Sequence, residues 1–83
     1  MPIDLRLIRH AAALAEHGSF SRAADALGIA QPTLSRSIRD LEATVGLPLF
    51  SRLRHGAEPT DFGYLFLQQA AAVSAQVSDL ERE

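Results

Sequence analysis

The sequence predicts a mainly α fold: three helices, a two-stranded β-hairpin, then a long C-terminal helix. Three observations carry that prediction. Apolar residues recur at helical spacing in four separate runs. Glycines stand where the first three runs stop. Between Pro48 and Thr60 the helical spacing lapses, and a glycine-centred turn takes its place.

The first run, Asp4 to His17, places Leu5, Ile8, Ala12 and Ala15 on one helical face. Asp4 caps its start, and Gly18 ends it as a residue that tolerates positive φ. The second run, Ser19 to Leu27, is short. Ser19 offers a hydroxyl to an orphan backbone N–H, and Ala23, Ala24 and Leu27 form the buried stripe with Phe20 as an anchor. Gly28 closes it, and Ile29 is an apolar plug in the turn. The third run starts at Gln31-Pro32, because a proline loses nothing in a first turn whose N–H groups lack helical partners. Leu34, Ile38, Leu41 and Val45 continue its stripe, and Gly46 with Pro48 stops it. A short helix, a tight turn and a longer helix in this order read as a helix-turn-helix.

The next segment changes character. Leu49 and Phe50 are apolar anchors, Ser51-Arg52-Leu53 and Ala57-Glu58 read as strands, and Arg54-His55-Gly56 reads as a turn with a positive-φ glycine. A two-stranded ribbon needs something to pack on, which Leu49 and Phe50 supply. The last run begins at Thr60, an N-cap, with Asp61 at the positive end of the helix dipole. Phe66, Ala70, Val73, Val77 and Leu80 alternate spacings of four and three, the rhythm of a coiled-coil seam, with Phe62 and Leu65 beside it. A second copy of the same helix is the simplest partner for that seam.

Composition narrows the function classes. The chain has 83 residues, a net charge of −2, no cysteine, and 47% hydrophobic residues. Disulfide frameworks and thiolate zinc sites are excluded, and so is whole-chain disorder. No apolar run is long enough to span a membrane, and MPIDLRLIRH lacks the apolar core of a signal peptide; the expectation is a cytoplasmic protein. His10 and His17 lie seven apart on one helical face and read as surface residues, without the spacing or carboxylate of a metal site. No catalytic constellation and no phosphate-cradling glycine loop is present, so neither an enzyme nor a cofactor is expected. The negative total argues against nucleic acid, but its distribution does not. Residues 19–54 hold five arginines against three acids, whereas residues 55–83 hold one arginine against five acids.

Residues 19–50 read SFSRAADALGIAQPTLSRSIRDLEATVGLPLF. Gly18-Ser19-Phe20, Ala23-Ala24, Leu27, Gln31-Pro32, Leu34-Ser35-Arg36, Ile38, Leu41-Glu42, Gly46, Pro48-Leu49-Phe50, Arg52, Gly56, Thr60 and Gly63 form an ordered set at fixed spacing. This set resembles the N-terminal DNA-binding domain of LysR-type transcriptional regulators, without a gap over residues 3–63. The resemblance implies a winged helix-turn-helix over residues 1–59 and a linker helix over 60–83 through which two copies dimerise. It also implies an effector-binding domain absent from this chain, to which a small-molecule effector would bind, and leaves room for higher oligomers of the longer protein. Five positions depart from the family pattern: Ala11 for a frequent aromatic, Ala30 for a capping Ser, Ser37 for Gln, His55 for Arg and Pro59 for Leu.

With that resemblance, the helix over 31–45 is expected to read the major groove of an inverted-repeat duplex, and the wing over 48–60 to reach the adjacent backbone or minor groove. Gln31, Pro32, Thr33, Ser35 and Arg36 occupy the end that meets base edges. Arg36 suits guanine, Gln31 adenine, and Thr33 with Pro32 a thymine methyl. Ser19, Ser21, Arg22, Arg39, Arg52 and Arg54 suit phosphates. For Arg39 an intrahelical pair with Glu42 is an equal alternative. Arg54 and His55 form the wing tip, poised between a minor-groove visit and a solvated turn. The dimer seam comprises Phe66, Ala70, Val73, Val77 and Leu80. The competing reading is a winged-helix module for protein partners, motivated by the −2 total and the apolar seam.

Overall fold

Local capping rules set the first three helices. Helix α1 (Leu5–His17) starts where the Asp4 carboxylate accepts the Arg6 N–H at 2.8 Å, and ends at Gly18 in the left-handed region. Helix α2 (Phe20–Leu27) starts at Ser19, whose Oγ accepts the Arg22 N–H at 3.3 Å. It ends in a Schellman turn: Ile29 N–H donates to the Ala24 carbonyl and Gly28 N–H to that of Asp25. Helix α3 (Gln31–Val45) follows after three residues, with Ala30 at the N-cap and no side-chain hydrogen bond there. The computed structural model describes residues 4–82; the expected domain limits at residues 1 and 83 lie outside the described residues.

Strands β1 (Phe50–Leu53) and β2 (Gly56–Pro59) pair antiparallel, Phe50 opposite Pro59 and Leu53 opposite Gly56. Each is longer than the sequence predicts, because pairing extends to Phe50, Gly56 and Pro59. Pro59 lacks an N–H and is tolerated at the ladder's end. Gly56 has the expected positive φ, 159°, and meets a close approach as well. A Cβ there would run into the Gly18 carbonyl, which accepts the Ala57 N–H at 3.0 Å. Helix α4 (Asp61–Arg82) completes the chain as its longest element.

The core lies between α1, α2, α3 and the base of the hairpin. Leu14, Leu34, Ile38, Leu41 and Leu49 are its fully buried large side chains. The expected stripe of α1 is corrected. Ala12 is exposed and Ala15 half-buried, while Ala11 and Leu14 are fully buried. The run Ala11–Ala15 is apolar throughout, so its periodicity cannot say which face turns inward; Leu5 and Ile8 face α4 instead. The expectation that His10 lies on the surface is also overturned. It is buried, with Nδ1 2.8 Å from the Oγ of buried Ser37 on α3. The Ser37 hydroxyl gives the imidazole a polar partner between the helices.

Thr60 anchors α4 to the hairpin. Its Oγ donates to the Pro48 carbonyl at 2.8 Å and accepts the Gly63 N–H at 2.9 Å, while its own N–H donates to the Leu49 carbonyl. Phe62, Phe66 and Leu67 pack on the core, and the Phe62 and Phe66 rings lie 6.2 Å apart. The far half of α4 runs alongside the start of α1, and the molecule measures 43 × 27 × 19 Å.

Candidate nucleic-acid interface

Helix α3 is two-sided. Leu34, Ile38 and Leu41 fasten one side to the core, so the other side is held outward without flexible linkage. Gln31, Pro32, Thr33 and Arg36 are exposed on it, and Ser35 is half-buried. The start of α2 lies beside this end. Ser21 and Arg22 are exposed, and Ser19 caps its own helix. Its Oγ accepts there, so its O–H remains a donor beside the backbone amides of that turn.

The wing closes the site from the other side. A concavity of about 280 Å³ is lined by Ser19, Phe20, Ser21, Gln31, Arg52, Leu53, His55 and Gly56. Three segments distant in sequence thus share one surface: the start of α2, the start of α3 and the wing. Within it the Arg52 guanidinium carbon sits 4.5 Å from the centroid of the Phe20 ring. That cation–π contact holds the charge at the mouth of α2. Pro32, Thr33, Ser35, Arg22, Arg36, Arg39 and Arg54 do not line the concavity. Arg54 and His55 are exposed at the wing tip.

Charge availability follows from what the arginines do not do. Among the described residues the ion pairs are Arg6–Asp4, His17–Glu16 and Arg82–Asp79. None involves Arg22, Arg36, Arg39, Arg52 or Arg54. The alternative of an Arg39–Glu42 pair is not realised. Glu42 Oε2 instead accepts the N–H groups of Leu49 at 2.7 Å and Phe50 at 3.3 Å. Neither this bond nor the His10–Ser37 contact was visible in residue spacing. Burial pushes the His10 imidazole below its ordinary pKa of 6.5, nearby Arg6 adds to the effect, and Asp4 opposes it.

The expected dimer seam is divided by the fold. Phe66 is half-buried against the core and Ala70 is buried, so both are largely spent within one chain. Val73 and Leu80 remain exposed, at 49% and 73%, and Val77 is half-buried. An apolar groove of about 450 Å³ runs between Leu5 and Ile8 of α1 and Phe66, Ala70, Val73 and Val77 of α4.

Known proteins match this arrangement. The family described as "Bacterial regulatory helix-turn-helix protein, lysR family" matches residues 5–64. The chain is 47% identical over 73 residues to the HTH-type transcriptional regulator BudR of Klebsiella aerogenes, covering 88% of this chain and 51% of that protein. It is 41% identical over 83 residues to the small neutral protease regulatory protein of Streptomyces coelicolor, covering 100% of this chain and 25% of that protein. The chain thus spans a quarter to a half of these relatives. Among solved structures, the BenM DBD in complex with benA site 1 DNA superposes with a TM-score of 0.91 at 38% identity, covering 96% of this chain and 90% of that one. The CbnR DBD–DNA complex gives 0.87 at 31% identity, covering 96% and 95%.

Proposed function

The chain belongs to the lysR family of bacterial regulatory helix-turn-helix proteins, and from that premise we propose that it binds double-stranded DNA sequence-specifically as the DNA-binding part of a transcriptional regulator. The observation that carries this is the shared surface built from the starts of α2 and α3 and the wing, with five exposed arginines free of carboxylate partners among the described residues. Two of the relatives named above were crystallised on DNA through domains of the same shape.

In this reading α3 enters the major groove by its first turns. Arg36 donates two hydrogen bonds to a guanine, Gln31 pairs with an adenine, and Pro32 and Thr33 meet a thymine methyl. Ser35, half-buried, contacts the base edge nearest the helix axis. Arg22, Arg39, Arg52 and Arg54, with the amides at the start of α2, fix the register on the phosphates. His55 reaches the neighbouring minor groove. Two copies joined through α4 by Val73, Val77 and Leu80 would present two such surfaces to an inverted repeat. Phe66 and Ala70 support that interface from the side they share with α1. Effector binding and higher assembly belong to further parts of a longer protein.

Selection of bound duplexes from a random-sequence pool tests the reading. A symmetric consensus with half-sites about one helical turn apart, or a multiple of it, is expected. Arg36→Ala and Gln31→Ala should each relax one position of each half-site. If both variants select the same consensus as the parent with the same affinity, α3 is not the reading helix. Val73→Glu with Val77→Glu should shift the sedimentation coefficient to that of the monomer.

A further inference from the structure

A two-stranded hairpin has two open edges, and its amides alternate between the partner strand and the outside. In this chain an outward amide on each strand is taken by a group outside the hairpin. On β2, Ala57 N–H donates to the Gly18 carbonyl at 3.0 Å. On β1, Phe50 N–H, together with that of Leu49 just before it, donates to one carboxylate oxygen of Glu42. Glu42 belongs to α3, the helix that carries the base-reading residues. One side chain therefore joins the reading helix to the wing across a gap of seven residues, by a charge-assisted bond to two backbone donors.

The location is an unfavourable one for an anion. Glu42 lies in the last turn of α3, and its own carbonyl accepts the terminating Gly46 N–H at 2.8 Å. The negative end of a helix dipole disfavours a carboxylate there. A residue that offered only helix propensity or solubility would be better placed elsewhere. The compensation is visible on the wing, where two amides that would otherwise lack protein partners are satisfied.

We infer that Glu42 is a positioning residue for DNA recognition. It contacts no base or phosphate itself. It sets the angle between α3 and the wing, so that Arg52, Arg54 and His55 meet the duplex whose major groove Gln31 and Arg36 enter. The inference rests on the DNA-binding reading above and adds to it a geometric coupling between two contact regions.

The test is a double-substitution cycle read on the duplex that the 83-residue chain selects, together with a measurement that needs no DNA. Arg54→Ala should weaken parental binding about fivefold, and by less than about twofold once Glu42→Ala is present, because the displaced wing no longer delivers Arg54. A residue that only adds stability would lower the melting temperature and leave the two substitutions additive, which would overturn the inference. In the free protein, residual dipolar couplings of residues 50–59 should reorient relative to α3 in Glu42→Ala, while those of α1 to α3 stay in place. Unchanged wing couplings would also overturn it. Glu42→Gln keeps an acceptor of the same reach without the charge, and should hold the wing nearer the parental orientation than Glu42→Ala does, with more of the Arg54 effect retained. If the parent selects no duplex, the DNA-binding reading fails, and the dipolar couplings still decide whether Glu42 orients the wing.

Discussion

Salt is the perturbation that best separates this surface from one built for a protein partner. Arg22, Arg39, Arg52 and Arg54 are exposed, and none has a carboxylate partner among the described residues. Four per copy become eight in a dimer. Each neutralised phosphate releases close to one counterion, so log affinity should fall with log salt at a slope of roughly −7. Raising salt from about 50 to about 200 mM should then cost roughly 10⁴-fold. Arg54→Ala removes one contact from each copy and should flatten the slope by about 1.8. Gln31→Ala should behave differently. It removes a base contact worth about 1–3 kcal/mol, broadens sequence preference and leaves the slope alone. Fluorescence anisotropy of a labelled selected duplex, titrated at five or more salt concentrations, measures all three lines. A parental slope shallower than about −2 would refute the phosphate assignments. An unchanged slope in Arg54→Ala would remove the wing tip from the contact set.

Three further outcomes test the frame that holds the site. Gly63→Ala places a Cβ against the Leu49 carbonyl, a backbone atom that cannot swing away, and should lower stability by at least about 2 kcal/mol and the melting temperature by about 10 °C. Ala30→Ser adds a side-chain cap where the backbone is already extended, at φ −74° and ψ 146°, and should raise stability by about 1 kcal/mol in thermal melts. His10 makes stability pH-dependent. Its folded pKa lies below the ordinary 6.5, so the unfolded chain binds more protons between those two values. Stability should hold above pH 6.5, fall as pH drops from there toward the lowered pKa, and level off below it; chemical denaturation of the parent and of His10→Gln checks this, since the variant should lack that part of the slope.

The parts legible in the sequence are those governed by near neighbours. Ser19, Gly28, Pro32 and Gly46 each act within one turn of chain, and α2, the turn and α3 fall where those residues put them. What was missed depends on distant partners. Spacing pairs Glu42 with Arg39, one turn away, but the backbone amides of Leu49 and Phe50 win because they are buried donors with no other partner. Ser37, 27 residues from His10 in sequence, supplies the polar neighbour that lets an imidazole turn inward. Gly56 and Gly63 carry the same lesson. One reads as a positive-φ turn, which it is, and the other as a family signature, and at both a carbonyl from elsewhere in the chain also lies where a Cβ would be. The apolar rhythm of α4 reads as a single seam, and the fold adds that Phe66 and Ala70 in it also face α1 within one chain.

The same separation of near from far accounts for part of the charge, since exposed Asp25, Asp40 and Glu58 share α2, α3 and the wing with the arginines while Asp79 and Glu81 do not. A net −2 chain repels a polyanion only if its acids act at the contact surface, and at physiological salt a charge is screened over about 8 Å. Asp79 and Glu81 lie 18 and 20 residues beyond Asp61 along one helix, about 27 Å and 30 Å at the helical rise. Asp79 is in addition beside Arg82 at 3.9 Å. Their repulsion is therefore spent in solvent near the far end of α4. The arginines of α2, α3 and the wing lie on other elements, whose backbones are fastened by the core and by Glu42. In the proposed DNA-binding reading, what a duplex meets is set by that local arrangement of arginines. The weaker general attraction that comes with so few charges makes binding depend more on base-edge contacts and on pairing of copies, since each adds affinity that a nonspecific sequence cannot supply.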